Sequence, residues 1–303
     1  IKMGLVNEEN KIIGRITIPT DLTVPYQTLV ERMADAVRQM LENAGMTLEQ
    51  CGGIGIGSPG TIDAKQGVIL YSNNFGWENV PIVEELKKHL DTRIEIANDA
   101  DAAALGEVCA GAAEGAENAV LLTLGTGVGS GVILDKKIFR GAMPGGCELG
   151  HLSIRYDGIR CTCGRKGCLE AYASASALLR IAREKAAEHP ESIMNEMCGN
   201  DLEQMNGKIP FDAAKAGDEA GMETVKEYEG YLACGIANVI NTFRPEKVIL
   251  GGGVAAQKDN LTAPLKDLVK DMCFGGSHGH IADIVTSVLG NDAGIIGAAN
   301  LVV

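Results

Sequence analysis

The segment Ala119–Leu124 reads as an apolar strand that runs without a break into Leu124-Gly125-Thr126-Gly127-Val128-Gly129-Ser130-Gly131, and Gly131–Leu134 reads as the strand that leaves this turn. The same arrangement recurs where Lys247–Leu250 meets Leu250-Gly251-Gly252-Gly253-Val254. Two strands that each end on a glycine turn hint at two related halves. Further strands are expected at Ile1–Val6, Lys11–Ile18, Gly53–Gly57 and Arg93–Ala97. Helical spacing of apolar residues marks Thr28–Asn43, with Gly45 just past its end, and predicts helices over Val80–Leu90, Ala100–Ala113, Ala173–Glu188, Phe211–Ala216, Gly221–Thr242 and Gly294–Leu301. Met143–Gly167 is a loop region rich in glycine and cysteine. Strands that alternate with helices imply an α/β fold with covered sheets.

Composition narrows the function. Hydrophobic residues make up 46% of the 303, enough for a core, and aromatics only 4%, so aliphatic side chains must fill it. Forty acidic residues against 27 basic give a formal charge of −13, which repels phosphate backbones and anionic lipid. Binding to nucleic acid or to a membrane by charge is therefore not expected. No apolar run approaches the roughly 18 residues needed to span a bilayer. No signal peptide is visible, and the chain starts abruptly at Ile1-Lys2-Met3. Nine cysteines are too sparse for a secreted disulfide scaffold, so a reducing cytoplasmic setting is expected, with some thiols on metal.

Those thiols cluster. Cys161-x-Cys163-x4-Cys168 follows His151 by ten residues, and Gly164 and Gly167 allow the sharp turns that short ligand spacings need. Three thiols and one imidazole can close a tetrahedral structural zinc site; the alternative is a loop of free cysteines. The other cysteines, Cys51, Cys109 and Cys147 among them, read as small core residues. Arg93–Ala97 ends on Asn98-Asp99, where a helix opens. Asp99 there suits a general base and Asn98 a hydroxyl partner, or either caps the helix; spacing alone divides these evenly. Asp101 reads as a helix-start acid favoured by the dipole. The turn at Gly125–Gly131 is an anion nest or a plain hairpin, and it is no Walker A motif, since no Gly-Lys-Ser/Thr follows.

Glu148-Leu149-Gly150-His151 with Cys161-Thr162-Cys163-Gly164-Arg165-Lys166-Gly167-Cys168-Leu169-Glu170 closely resembles the signature of the ROK family, which holds bacterial repressors, open reading frames and sugar kinases. The resemblance spans Ile1 to Ala299. It implies an actin-like (ribonuclease-H-like) two-domain ATPase fold with sugar and Mg-ATP in a central cleft. The small domain is expected at 1–97 plus 290–303 and the large one, with the zinc loop, at 98–289. The resemblance implies zinc on His151, Cys161, Cys163 and Cys168, a hexose read by Asn74, Asn98, Asp99, Glu148, His151 and Glu170, and Asp99 as catalytic base. Without the resemblance, Glu148 and Glu170 read as solvated surface acids.

Gly57-Ser58-Pro59-Gly60 and Ser72-Asn73-Asn74-Phe75-Gly76-Trp77 resemble the family's sugar-binding wall, with Trp77 as a packing residue or a stacking platform. Gly125, Thr126 and Gly127 resemble the second phosphate loop of the superfamily, and Gly251, Gly252 and Gly253 its adenosine-contacting turn. Family kinases open with a strand and an Asp-x-Gly-Gly-Thr turn, and Ile1–Val6 resembles the strand after it; a central strand would then be lacking and a sheet edge left exposed.

The sugar stretch resembles the glucokinase branch most, which implies phosphorylation of glucose to glucose 6-phosphate. Other readings are a kinase for mannose, fructose or an N-acetylated amino sugar, a sugar-sensing repressor, or a zinc-stabilised sugar-binding protein without catalysis. A homo-oligomer, dimer or tetramer, is expected.

Overall fold

A computed structural model describes residues 1–276, 278–279 and 281–303. The chain opens with β1 (Lys2–Val6) and β2 (Ile12–Thr17), then α1 (Tyr26–Ala44), β3 (Ile54–Ser58), β4 (Thr61–Asp63), β5 (Val68–Ser72), β6 (Trp77–Val80) and α2 (Ile82–Lys87). Next come β7 (Ile94–Asn98), α3 (Asp99–Ala110), β8 (Ala119–Leu124), β9 (Val128–Leu134) and β10 (Lys137–Ile138). Helices follow: α4 (Glu170–Ala173), α5 (Ala175–Glu188), α6 (Ile193–Met197), α7 (Ile209–Lys215) and α8 (Glu219–Phe243). The chain ends with β11 (Lys247–Gly251), α9 (Asp259–Met272), β12 (Asp283–Thr286) and α10 (Asp292–Ala299).

Two compact units emerge. One comprises Ile1–Ala119, Gly131–Cys147 and Val288–Val303; the other Val120–Ser130 and Glu148–Ser287. These limits run past the Ala97 and Leu289 boundaries anticipated from the sequence.

In the first unit, β1 pairs antiparallel with β2, β3 pairs parallel with β7, and β4–β5–β6 form an antiparallel meander. Among the described residues β1 pairs only with β2 and β3 only with β7. Helix α1 turns Leu29, Val30, Ala34, Met40 and Leu41 inward and stops at Gly45, whose φ of 66° lets its N–H reach the Glu42 carbonyl. Val30 and Ala34 pack with Ile62, Ile69, Ile82, Leu86, Ile94 and Ile96, and Trp77 lies against this core beside Tyr26 and Phe75. The packing alternative for Trp77 is thus the one found.

The helix expected at Val80–Leu90 is shorter and follows a strand. Val80 precedes Pro81, whose ring crowds the α region of the residue before it, so Val80 stays extended in β6 and α2 starts only at Ile82. Likewise Ala173–Glu188 is broken at Ser174, whose hydroxyl accepts the Ala177 N–H at 3.1 Å and starts α5 afresh.

Helices α3 and α10 of this unit meet backbone to backbone. A Cβ on Gly106 would strike the Ala293 carbonyl, and one on Gly297 the Ala102 carbonyl. Glu107, fully buried in α3, reinforces the contact: its carboxylate accepts N–H bonds from Ala112 (2.8 Å), Val288 (3.3 Å) and Leu289 (3.0 Å). The start of α3 is thereby fixed.

In the second unit β9, β8, β11 and β12 lie side by side, with β11 and β12 parallel from Lys247↔Asp283 to Leu250↔Thr286. The far half of β9 belongs to the first unit, where Ile133 and Leu134 pair with β10. Helix α8 packs on α5, α7 and α9, and Ala182 and Ala186 of α5 form a buried cluster with Met194 and Ile209. Among the described residues, no helix is long and apolar enough to cross a membrane.

Glu229 sits mid-way along α8 at 6% exposure. Its Oε1 has no hydrogen-bond partner among the described residues, and burial pushes its pKa to about 7. The folded state therefore holds a proton that an unfolded glutamate sheds, so stability falls as pH climbs from the ordinary value of 4.5 through about 7. Glu229→Gln removes this loss, which amounts to on the order of 2–3 kcal/mol above pH 7. The melting temperature of the variant should exceed that of the native protein at pH 8 by clearly more than at pH 5. An unchanged gap between the two pH values would show that the carboxyl is solvated after all.

Candidate functional site

In the first unit, β3 and β7 run parallel and in register to their ends, with Ser58 opposite Asn98. This places Gly57-Ser58-Pro59-Gly60 beside Asn98-Asp99, joining two motifs about 40 residues apart. Asn98 caps α3: its Oδ1 accepts from the N–H groups of Ala100 (2.8 Å) and Asp101 (3.4 Å), while its Nδ2 donates to the Gly60 carbonyl (3.1 Å). The capping alternative is realised, and it clamps the asparagine side chain to both strands' exits.

Asp99 follows as the first helical residue, exposed, with Oδ1 accepting its neighbour Ala100 N–H at 3.0 Å. Although the residue meets solvent, the protein packed around its carboxyl desolvates it. Its pKa is raised above the usual aspartate value, against the opposing pull of the Ala100 and Asp99 amides.

Asp101 belongs to this site, which its sequence position as a helix-start acid did not reveal. It is 4% exposed and lines a cavity of about 140 Å³ with Asn98, Asp63, Lys65, Arg140 and the Gly141–Gly146 loop. Asn74 lies on the exposed turn between β5 and β6.

The second unit carries the remaining candidates. After β8 the loop folds on itself, the Gly125 N–H donating to the carbonyls of Gly127 (3.0 Å) and Thr123 (3.2 Å). The start of α5 holds it from outside: Ala175 N–H donates to the Gly125 carbonyl (2.8 Å) and the Ser176 hydroxyl to that of Thr126 (2.9 Å). No φ in this loop demands glycine; a Cβ on Gly125 would meet almost nothing, whereas one on Gly127 would collide with the Glu170 carboxylate. Strand β11 lies next to β8, and Gly252 packs its α-carbon against the Leu124 backbone, so the two glycine turns are neighbours.

Glu148 is exposed and opens a short 3-10 turn, Leu149–His151, anchored by a bond from the Leu149 N–H to the Ser130 hydroxyl (2.9 Å). His151, Cys161, Cys163 and Cys168 then converge, each offering one donor atom within 4.8 Å of all the others. His151 Nδ1 stands 3.7 Å from Cys161 Sγ, and Cys163 Sγ 3.6 Å from Cys168 Sγ. Metal–sulfur bonds of about 2.3 Å in a tetrahedron put ligand atoms about 3.7–3.8 Å apart, so these four fit a zinc-sized ion. The loop reaches this shape through Gly164 and Gly167 at φ of 91° and 76°. The sequence spacing was enough to find this cluster because all four ligands fall within one short segment.

Glu170 is half-buried at the start of α4. One oxygen accepts the Val128 N–H at 3.0 Å; the other accepts the Thr162 hydroxyl at 3.2 Å and lies 3.4 Å from Cys161 Sγ. It is thus no solvated surface acid.

The model of the ROK family matches residues 1–303 in full. The chain belongs to the ROK family. It is 36% identical to the glucokinase of Thermotoga maritima over 301 residues, covering 99% of this chain and 93% of that protein. The ROK family glucokinase of Streptomyces griseus, solved in complex with glucose and AMPPNP, is 31% identical and superposes with a TM-score of 0.78, over 98% of this chain and 94% of that one. Repressors are relatives too: the xylose repressor of Caldicellulosiruptor bescii is 30% identical over 82% of this chain and 62% of its own length. The fold is therefore the actin-like α/β ATPase fold of the ROK kinases.

Proposed function

We propose glucose as the substrate of this ATP-dependent sugar kinase, with transfer to its primary 6-hydroxyl. The observation that carries the reading is the carboxylate of Asp99, held at the end of β7 by a capped helix start and made more basic than an ordinary aspartate by its surroundings. A sugar hydroxyl needs such a proton acceptor to become a nucleophile.

In this reading Asp99 takes the proton of the 6-hydroxyl as its oxygen attacks the γ-phosphorus of Mg-ATP. The bond from the γ-phosphorus to the bridging oxygen breaks, and ADP leaves. Asn98, Glu148, His151 and Glu170 hold the remaining hydroxyls, and Asn74 adds a contact at the rim. The turn Gly125, Thr126 and Gly127 faces the phosphates; its Gly125 N–H already donates to the Thr123 and Gly127 carbonyls, so the Thr126 and Gly127 amides donate to phosphate oxygens, and Gly251, Gly252 and Gly253 lie under the adenosine. Zinc, on His151, Cys161, Cys163 and Cys168, would supply a fixed cross-link. Metal held through Nδ1, the nitrogen that faces Cys161, would set the His151 tautomer and leave Nε2–H as a donor for a hydroxyl. The larger identity to glucokinases than to repressors supports the enzyme.

Three experiments bear on this. Asp99→Asn keeps the shape and removes the acceptor, so kcat should fall by roughly 10²–10⁴ while KM for the sugar changes little. In the native protein the acid limb of kcat/KM should lie at a pH above that of an ordinary aspartate, because the raised pKa keeps the base protonated to higher pH. Near-native turnover of the variant removes Asp99 from the chemistry.

Elemental analysis should find about one zinc per chain, lost on Cys163→Ser or Cys168→Ser. Metal-free native protein with full sugar affinity would contradict the assignment.

Substrate choice rests on hydrogen bonds to particular hydroxyls. An epimer leaves a charged acceptor unpaired at a cost of about 1.5–3 kcal/mol, roughly tenfold to hundredfold in kcat/KM. Glucose should therefore lead a panel of mannose, fructose, N-acetylglucosamine and N-acetylmannosamine. A better substrate among these overturns glucose and leaves the kinase standing; no phosphorylation of any sugar overturns the kinase.

A further inference from the structure

The phosphate loop and the thiol cluster are separate in sequence, yet one side chain touches both. Glu170 begins the helix directly after Cys168 and spans from Val128, at the end of the glycine turn, to Thr162 and Cys161 in the cluster. We infer that Glu170 is a positioning residue that couples occupancy of the metal cluster to the shape of the phosphate loop, so that losing the metal weakens nucleotide binding even with no sugar present. The inference rests on the kinase reading and adds regulation by metal to it.

The geometry gives the carboxylate no slack. Its Oε2 receives the Val128 N–H and lies where a side chain on Gly127 would have to be. Glycine at 127 is thus explained by Glu170 and not by its own backbone angles, since its φ is not positive. Oε1 receives the Thr162 hydroxyl and sits beside Cys161 Sγ, an atom of the four-membered cluster. A carboxylate is planar and rigid between its two oxygens. Any shift of the 161–163 turn on metal release therefore moves Oε2, and with it the N–H of Val128. The loop's other fastenings, from Ala175 and Ser176, lie on the residues just after α4 and move with the same segment. The carboxylate has about four lone-pair sites, and the protein groups fill them only in part, so the coupling is compatible with a sugar hydroxyl on the same residue.

The test measures AMPPNP binding by calorimetry with Mg²⁺ and no sugar, on the full zinc-loaded chain. Glu170→Ala should raise the dissociation constant by about tenfold, the weight of a charge-assisted bond. Glu170→Gln should stay within about threefold of native, because an amide oxygen still accepts the Val128 N–H and the amide nitrogen can donate to Thr162. Chelator-stripped native protein should weaken like Glu170→Ala, and stripping that variant should add nothing further, as expected for two steps along one connection.

Thr162→Val leaves all four ligands and keeps the fold testable if stripping unfolds the chain, which circular dichroism reports. It should weaken AMPPNP by a smaller but measurable factor. Native affinity in Glu170→Ala or Thr162→Val, equal loss in the Gln and Ala variants, or additive effects of stripping and Glu170→Ala each overturn the coupling. Failure of the native protein to bind AMPPNP at all, with or without glucose, sinks the kinase reading and the inference with it.

Discussion

The contact between α3 and α10 is the constraint on which the first unit turns. Two helices can touch backbone to backbone only where neither presents a side chain, and Gly106 and Gly297 supply that on both partners. Interiors pack like solids, so a contact made by main-chain atoms leaves no rotamer through which α3 could slide. The Glu107 carboxylate adds two N–H bonds across from Val288 and Leu289, just before α10, and a third from Ala112 just after α3. The consequence is felt one end of the helix away, where Asp99 is the first residue of α3. In the proposed reaction Asp99 would have to hold its oxygen to within a fraction of an ångström of the attacking hydroxyl, and a helix that cannot shift suits that role without any contact to the ligand.

The second unit solves the same problem with a polar side chain. Its glycine turn is held by hydrogen bonds: the α5 amide and hydroxyl outside, Glu170 within. The thiol cluster lies on the same carboxylate, so the glycine turn and the cluster share one acceptor. Each unit therefore fixes a candidate site segment through another structural element, by steric exclusion in one and by a shared acceptor in the other.

What could be read from the sequence follows from how local each feature is. The four cluster residues lie close together in sequence, and their donor atoms converge as the spacing implies. Strands that end on glycine turns were visible because a short apolar run and a breaker are both local signals. Asn98 posed two local alternatives, a cap or a hydroxyl partner, and its side chain does cap; the cap is what aims Asp99. By contrast, Asp101 facing a cavity, Glu107 reaching residues 288–289 and Glu229 buried in α8 depend on chain segments far away in sequence. Helix α9 was not foreseen either: Pro264 reads as a breaker inside it, although Leu261, Leu265 and Val269 keep helical spacing and are buried. The β4–β6 meander was not foreseen, and its last residue, Val80, was assigned to the helix expected at Val80–Leu90 because the effect of Pro81 falls on the residue before it.

The Asn98 network also limits what the site can ask of a sugar. An amide side chain has two acceptor and two donor positions. Both Oδ1 positions are filled by the Ala100 and Asp101 N–H groups, and one Nδ2 hydrogen is given to Gly60. Two amide donors at one end fix which end is oxygen. One N–H remains, so toward any ligand Asn98 acts as a single donor. Asp99, beside it, is an acceptor when ionised. A neighbouring pair of one donor and one acceptor suits two adjacent hydroxyls: the first accepts from Asn98 and so keeps its own hydrogen to give elsewhere, and the second surrenders its hydrogen to Asp99. Under the proposed reaction only the second would become the nucleophile. Which hydroxyl is phosphorylated, and not merely the grip on the sugar, would then depend on an asparagine already committed to capping a helix.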